Sequence, residues 1–228
     1  MKSIREELFA RQDLSYRAFN GKLVPGKELI GVRIPVLRAL AGEICRRAPE
    51  KAEAFLRALP HRYLEENHLH AFLLEREKNP ESLKAQIEIF LPYIDNWQTC
   101  DAFLPKYLKT DRETVPDWID TWLHAAEPYT VRYAIRLMIA RKDYQERDIR
   151  KVIKTEKHDA LCVYRGAAWY LSMAARENEE AFLQCFSGLK ADERLLKETV
   201  KKICESRQFK KKEKDAYRRR AFDQDEIQ

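Results

Sequence analysis

Glycine is scarce in this sequence, with six in 228 residues, and the six never gather into a cradle. A glycine-rich phosphate loop and a dinucleotide fingerprint are thereby excluded. The five cysteines (Cys45, Cys100, Cys162, Cys185 and Cys204) are odd in number and never form a C-x-x-C pair. They read as reduced, mostly buried small hydrophobes, not as a disulfide frame or a metal ribbon. No apolar run approaches the ~20 residues of a membrane span. The opening MKSIREELFA is charged and helical instead of signal-like. The expectation is a cytoplasmic chain with no membrane partner. No stretch alternates apolar and polar residues in the manner of a half-buried strand, and no Ser-His-Asp arrangement is legible.

What the sequence does have is Leu, Ala, Glu, Lys and Arg, the residues that favour helix. Apolar positions recur at helical spacing almost throughout, so the chain is expected to be all-α. The strongest patterns start near Ile34, Tyr63, Trp97, Thr130, Cys162 and Arg194, at intervals of 29, 34, 33, 32 and 32 residues. More polar helices lie between them. Two helices per near-constant period is the signature of an α-solenoid, here of about six degenerate HEAT-like repeats in one domain over residues 1–228. One helix of each pair should line a concave face, where a partner would bind.

Charge is unevenly placed. The net charge is +6, yet residues 201–220 alone hold ten Lys/Arg against three acids. Such a basic block points to a polyanion, or else to a solvated tail over about residues 208–228.

One stretch stands out, YIDNWQTCDAF at 93–103. Asp95 is a natural N-cap, and Gln98 three residues on completes a capping-box pattern. Asp101 then lies well inside the helix, where the free N–H groups of the first turn do not need it. It shares a face with Trp97, and Leu104 and Leu108 extend that stripe toward a break at Pro105. A carboxylate among apolar neighbours must be paired, hydrated in a cleft or waiting for a cation. One repeat period separates Arg136 in VRYAIRLMIA from Trp169 in GAAWYLSMA. The two should stack on adjacent helices, with Phe103 one period back. Arg132 and Arg165, also 33 apart, form a second arginine column suited to phosphates.

GVRIPVLRALA, YIDNWQTCD, VRYAIRLMIA and GAAWYLSMA together resemble the AlkD-like DNA alkylation repair proteins, over roughly residues 15–210. The resemblance implies a right-handed solenoid with a basic concave groove and a monomer acting on double-stranded DNA. It implies a hydrolase of N-glycosyl bonds that releases N3- and N7-alkylated purines. Carried over residue by residue, it gives Asp101 as the catalytic carboxylate, Trp97 and Trp169 as the aromatic pair around the damaged nucleotide, and Arg136 as a DNA contact. Arg132, Arg165 and Arg207 complete the candidate DNA-binding set. No cofactor and no metal are required, because an alkylated purine is already a cationic leaving group.

Two positions depart from the family pattern. Ser172 stands where its glycosylases carry a further arginine, a contact that Arg165 or Arg176 would have to supply. The N-terminal segment is short and broken at Pro25–Gly26. Both departures leave open a non-catalytic protein that binds distorted or branched DNA, and the solenoid alone would also suit a protein-binding scaffold. His68 and His70 in ENHLHAF sit at i, i+2, a poor metal spacing on a helix. Trp118 and Trp122 read as packing between layers.

Overall fold

The computed structural model describes residues 3–155 and 160–222. Every regular element among them is helical: α1 (Ile4–Phe9), α2 (Leu14–Gly21), α3 (Ile34–Arg47), α4 (Pro49–Arg57), α5 (Leu64–Leu74), α6 (Pro80–Phe90), α7 (Trp97–Ala102), α8 (Lys106–Thr110), α9 (Val115–Leu123), α10 (Pro128–Arg141), α11 (Glu146–Lys154), α12 (Leu161–Glu177), α13 (Glu179–Gln184), α14 (Phe186–Lys190), α15 (Glu193–Glu205) and α16 (Lys211–Phe222). The six starts expected from periodicity fall within two residues of those of α3, α5, α7, α10, α12 and α15. Prolines stand in the first turn of α3, α4, α6, α9 and α10, where the missing N–H is harmless.

The chain divides into two compact units, Met1–Thr110 and Asp111–Gln228. In the first, α3 packs on α5 and α5 on α7. In the second, α9 packs on α10, α10 on α12 and α12 on α15. Bonds between neighbouring helices span about one sequence period: Leu104 N–H reaches Glu75 across 29 residues, Arg132 reaches the Cys162 carbonyl across 30, and Asn178 reaches the Tyr144 carbonyl across 34.

Helix α5 is buried on every side, so its polar residues must be satisfied internally. Glu65, 1% exposed, accepts from the backbone N–H groups of Ile30, Gly31 and Val32 at 2.8, 2.7 and 3.3 Å. That grip explains the GVR segment: Gly31 has φ +97°, and a Cβ there would stand 2.6 Å from the Arg17 Cβ. Glu66 closes the capping box at Tyr63 and pairs with Arg5 at 2.8 Å. His70 stacks on Phe90 and His61 on Phe55, and the two imidazoles share a 2.9 Å hydrogen bond. Burial holds His61 and His68 down to about 4 and His70 to about 3. The histidines are therefore core residues, and no set of three potential metal-binding side chains gathers among the described residues.

In the second unit Trp118 and Trp122 are buried, with Trp122 against Tyr133 of α10, the packing role their spacing implied. The basic C-terminal segment departs from a frayed tail. It forms α16, anchored by buried Phe209 and Tyr217, while residues 223–228 lie outside the described residues. No helix among the described residues is long and apolar enough to cross a membrane.

Replacing Glu65 by Ala strands three buried donors and is expected to lower unfolding free energy by about 3 kcal/mol or more. Urea titration measures this, with the exposed Glu113→Ala change staying within about 0.5 kcal/mol. The buried histidines give a second expectation. Their folded pKa values lie below the unfolded value of about 6.5, so the unfolded chain takes up protons first. Stability is complete above pH ~6.5 and falls as pH drops toward the folded values near 4 and 3. Denaturant midpoints between pH 7 and 5 should show the loss, and His70→Phe should flatten it.

Candidate functional site

The first unit presents Trp97 and Asp101 on α7, a six-residue helix. Its N-cap is Asn96, whose side chain accepts from Thr99 N–H at 2.9 Å, and not Asp95 as the sequence pattern implied. Asp95 is drawn off to an ion pair with Lys27. Asp101 is thus the fifth residue of a short helix, not the middle of a long one. The helix stops at Ala102 because Phe103 turns extended (φ −82°, ψ 104°) ahead of the Leu104–Pro105 peptide. The Leu104/Leu108 continuation of the stripe is lost with it: Leu108 is buried in the separate helix α8. Phe103 is also buried, edge-on to Phe90.

What remains is a carboxylate and an indole one turn apart at the surface. Asp101 is half-buried and Trp97 is 42% exposed. The indole is pinned, since its Nε1–H donates to the Leu23 carbonyl at 3.3 Å. Gln98 exchanges two amide hydrogen bonds with Asn20 of α2, at 2.7 and 3.1 Å. The short N-terminal segment is thereby docked on the Trp97/Asp101 helix. Leu14, Phe19 and Leu23 of that segment stay exposed.

The turn after Asp101 is fixed by a pair that sequence reasoning passed over. Arg38 of α3 lies over the Phe72 ring, 3.9 Å from its centroid, and forms an ion pair with Glu75. Its Nη2–H donates to the Ala102 carbonyl at 3.0 Å, while Glu75 accepts from Leu104 N–H at 2.7 Å. One acid and one base thus hold both sides of the break. Their opposite charges, 37 residues apart, were the available signal.

The second unit carries Arg136 on α10 and Trp169 on α12, and their 33-residue spacing does bring them together. The guanidinium carbon stands 5.2 Å from the indole centroid, within cation–π range. Arg194 of α15 repeats the arrangement over Tyr164 of α12, at 4.1 Å. The second arginine column does not form. Arg165 is exposed, but Arg132 is 7% exposed and its Nη1–H donates to the Cys162 carbonyl at 2.8 Å. Position 132 faces α12 at Gly166, so its arginine ties two helices and offers no open phosphate contact. Arg207 is exposed in the turn before α16. Ser172 is buried, its hydroxyl donating back to the Trp169 carbonyl at 2.7 Å.

A model of the DNA alkylation repair enzyme family matches residues 4–188, most of the chain. This chain belongs to that family. No curated protein and no solved structure matches it. Membership in a DNA alkylation repair family implies DNA as partner. All four of Trp97, Asp101, Arg136 and Trp169 lie inside the matched span, whereas Arg207 and α16 lie beyond it.

Because Ser172 faces the interior, Ser172→Arg is expected to destabilise the protein by roughly 1–3 kcal/mol through overpacking without raising DNA affinity. Thermal melting and a duplex-binding titration of the same variant check both halves.

Proposed function

We propose that this family member hydrolyses the N-glycosidic bond of N3- and N7-alkylated purines in duplex DNA. The observation that carries the reading is the half-buried Asp101 one turn from a pinned, exposed Trp97, in a chain of a DNA alkylation repair family. Alkylation at N3 or N7 leaves the purine cationic. Cleavage of the C1′–N bond lets the base depart neutral and moves positive charge onto the deoxyribose. A carboxylate beside that sugar stabilises the oxocarbenium-like transition state. Water then attacks C1′, with Asp101 orienting it and receiving its proton. The Trp97 ring face favours the same cationic species, a contribution of about 0.5–2 kcal/mol. This chemistry does not require a base-specific pocket for the flipped lesion, unlike most base-excising enzymes.

Each unit then contributes its own contacts to the DNA. The first supplies Trp97 and Asp101. The second supplies Trp169, with Arg136 oriented by that indole, and the exposed Arg165 and Arg207 as phosphate contacts. Within each unit the helix succession, α3, α5, α7 in the first and α10, α12, α15 in the second, supports a reading as HEAT-like repeats.

A second reading rests on Ser172, which is buried and cannot supply a phosphate contact, and on the brevity of α1 and α2. It keeps DNA binding and drops excision.

Release of N7-methylguanine or N3-methyladenine from a duplex decides between them. The wild-type protein is expected to release base, and Asp101→Asn to slow release by about 10²-fold or more. Equal rates in both would remove Asp101 from the chemistry. Salt-dependent binding with no release by the wild type would establish the second reading.

A further inference from the structure

Helix α16 lies outside the span that the family model matches, yet it is docked and not loose. Tyr217 is 3% exposed, packs against Phe182 and Phe209, and donates its hydroxyl to Glu179 at 2.8 Å. The helix stacks on α15. Its outer surface is cationic: Lys211, Lys212, Arg218, Arg219 and Arg220 are all exposed. Arg218 pairs with Asp215 of the same helix at 2.8 Å.

The placement of the lysines works against the helix itself. Lys210 precedes the first residue, and Lys211 and Lys212 occupy the first turn. That end of a helix carries the positive pole of the backbone dipole and favours acids. Glu213 is the acid of that turn, accepting from Lys210 N–H at 2.5 Å. Lys210 and Lys214, and Lys214 and Arg218, are also like-charge pairs at i, i+4, a further destabilising spacing. Cations gathered where they weaken their own helix are relieved by an external anion.

We propose that α16, with Lys201 of α15, is a second DNA contact that grips the sugar–phosphate backbone without reading sequence or lesion. The partner is DNA and not a bilayer, because a membrane-lying helix needs a free apolar face. The aromatic anchors of α16 are turned inward, leaving Phe222 exposed at its end. This contact does not depend on base excision.

Binding of an undamaged fluorescent duplex, followed across a salt series, tests it. In Lys211→Gln/Lys212→Gln/Arg219→Gln/Arg220→Gln, the slope of log affinity against log salt is expected to shrink by about 0.9 for each phosphate no longer neutralised, about 2–4 in all. Affinity at ~0.1 M salt should fall at least about tenfold, equally for intact and alkylated duplexes. The smaller change Lys211→Gln/Lys212→Gln should raise the melting temperature while lowering the slope, a combination that general unfolding cannot produce. An unchanged slope in the folded variants overturns the proposal, as does loss of binding to an acidic polypeptide with DNA binding intact. Absence of excision by the wild type, with the slope still reduced in the variants, would refute the excision reading and leave this one standing.

Discussion

The first unit depends on where α5 places its acids. Glu65, one residue inside the helix start, holds three backbone N–H groups of the segment leading into α3. Glu75, one residue past its end, holds the turn that follows Asp101. Ten residues of helix separate them, about 15 Å of rigid rod. The rod fixes the entry of α3 and the exit of α7 in one frame. A buried helix with carboxylates at both ends is costly unless every lone pair finds a donor. Here the donors are the groups whose positions matter for the candidate site. The GVR segment and the Trp97/Asp101 turn are thus two ends of one constraint.

The second unit is organised differently, by arginines that tie helices through aromatic faces and carbonyls. Arg136 lies against Trp169, Arg194 against Tyr164, and Arg132 on the Cys162 carbonyl. Arg141, 4% exposed, donates to the Asp111 carbonyl at 2.5 Å and to Asp143 at 2.7 Å. The planar guanidinium suits this use, because it can stack and donate in its plane at the same time. An arginine at the right spacing is therefore ambiguous between helix tie and phosphate contact, and only burial separates the two.

That ambiguity marks how far the sequence could be read. Periodicity located the main helices, because 3.6-residue spacing of apolar positions survives even where the repeats share no consensus. The 33-residue interval also brought Arg136 to Trp169. It failed for Arg132, since equal spacing says nothing about which side of the helix is covered; Gly166 opposite, leaving room for an overlying side chain, was the clue. The cap of α7 was misjudged because Asp95 and Asn96 are both good caps, and the choice was made by Lys27, distant in sequence. Arg38 and Glu75 were passed over because each alone looks like an ordinary surface charge. The basic C-terminal block looked like a tail because its two aromatic anchors are outnumbered by lysines and arginines.

The spacing of the interhelical bonds has one more consequence. Glu65 to Ile30, Asp120 to Lys151 and Tyr144 to Asn178 each close a chain segment of little more than thirty residues. The entropy of closing such a loop grows only with the logarithm of its length, so none of these bonds waits on a distant part of the polypeptide. A chain wired largely in this way can assemble progressively from an early hairpin, and such local wiring goes with fast folding. Longer closures gather in the first unit: Arg5 to Glu66 spans 61 residues and Arg38 to Ala102 spans 64, and α7 is held to the N-terminal segment by Trp97 to Leu23 across 74 and Gln98 to Asn20 across 78. The indole of the candidate site is therefore seated by a closure more than twice as long as the period that builds its scaffold.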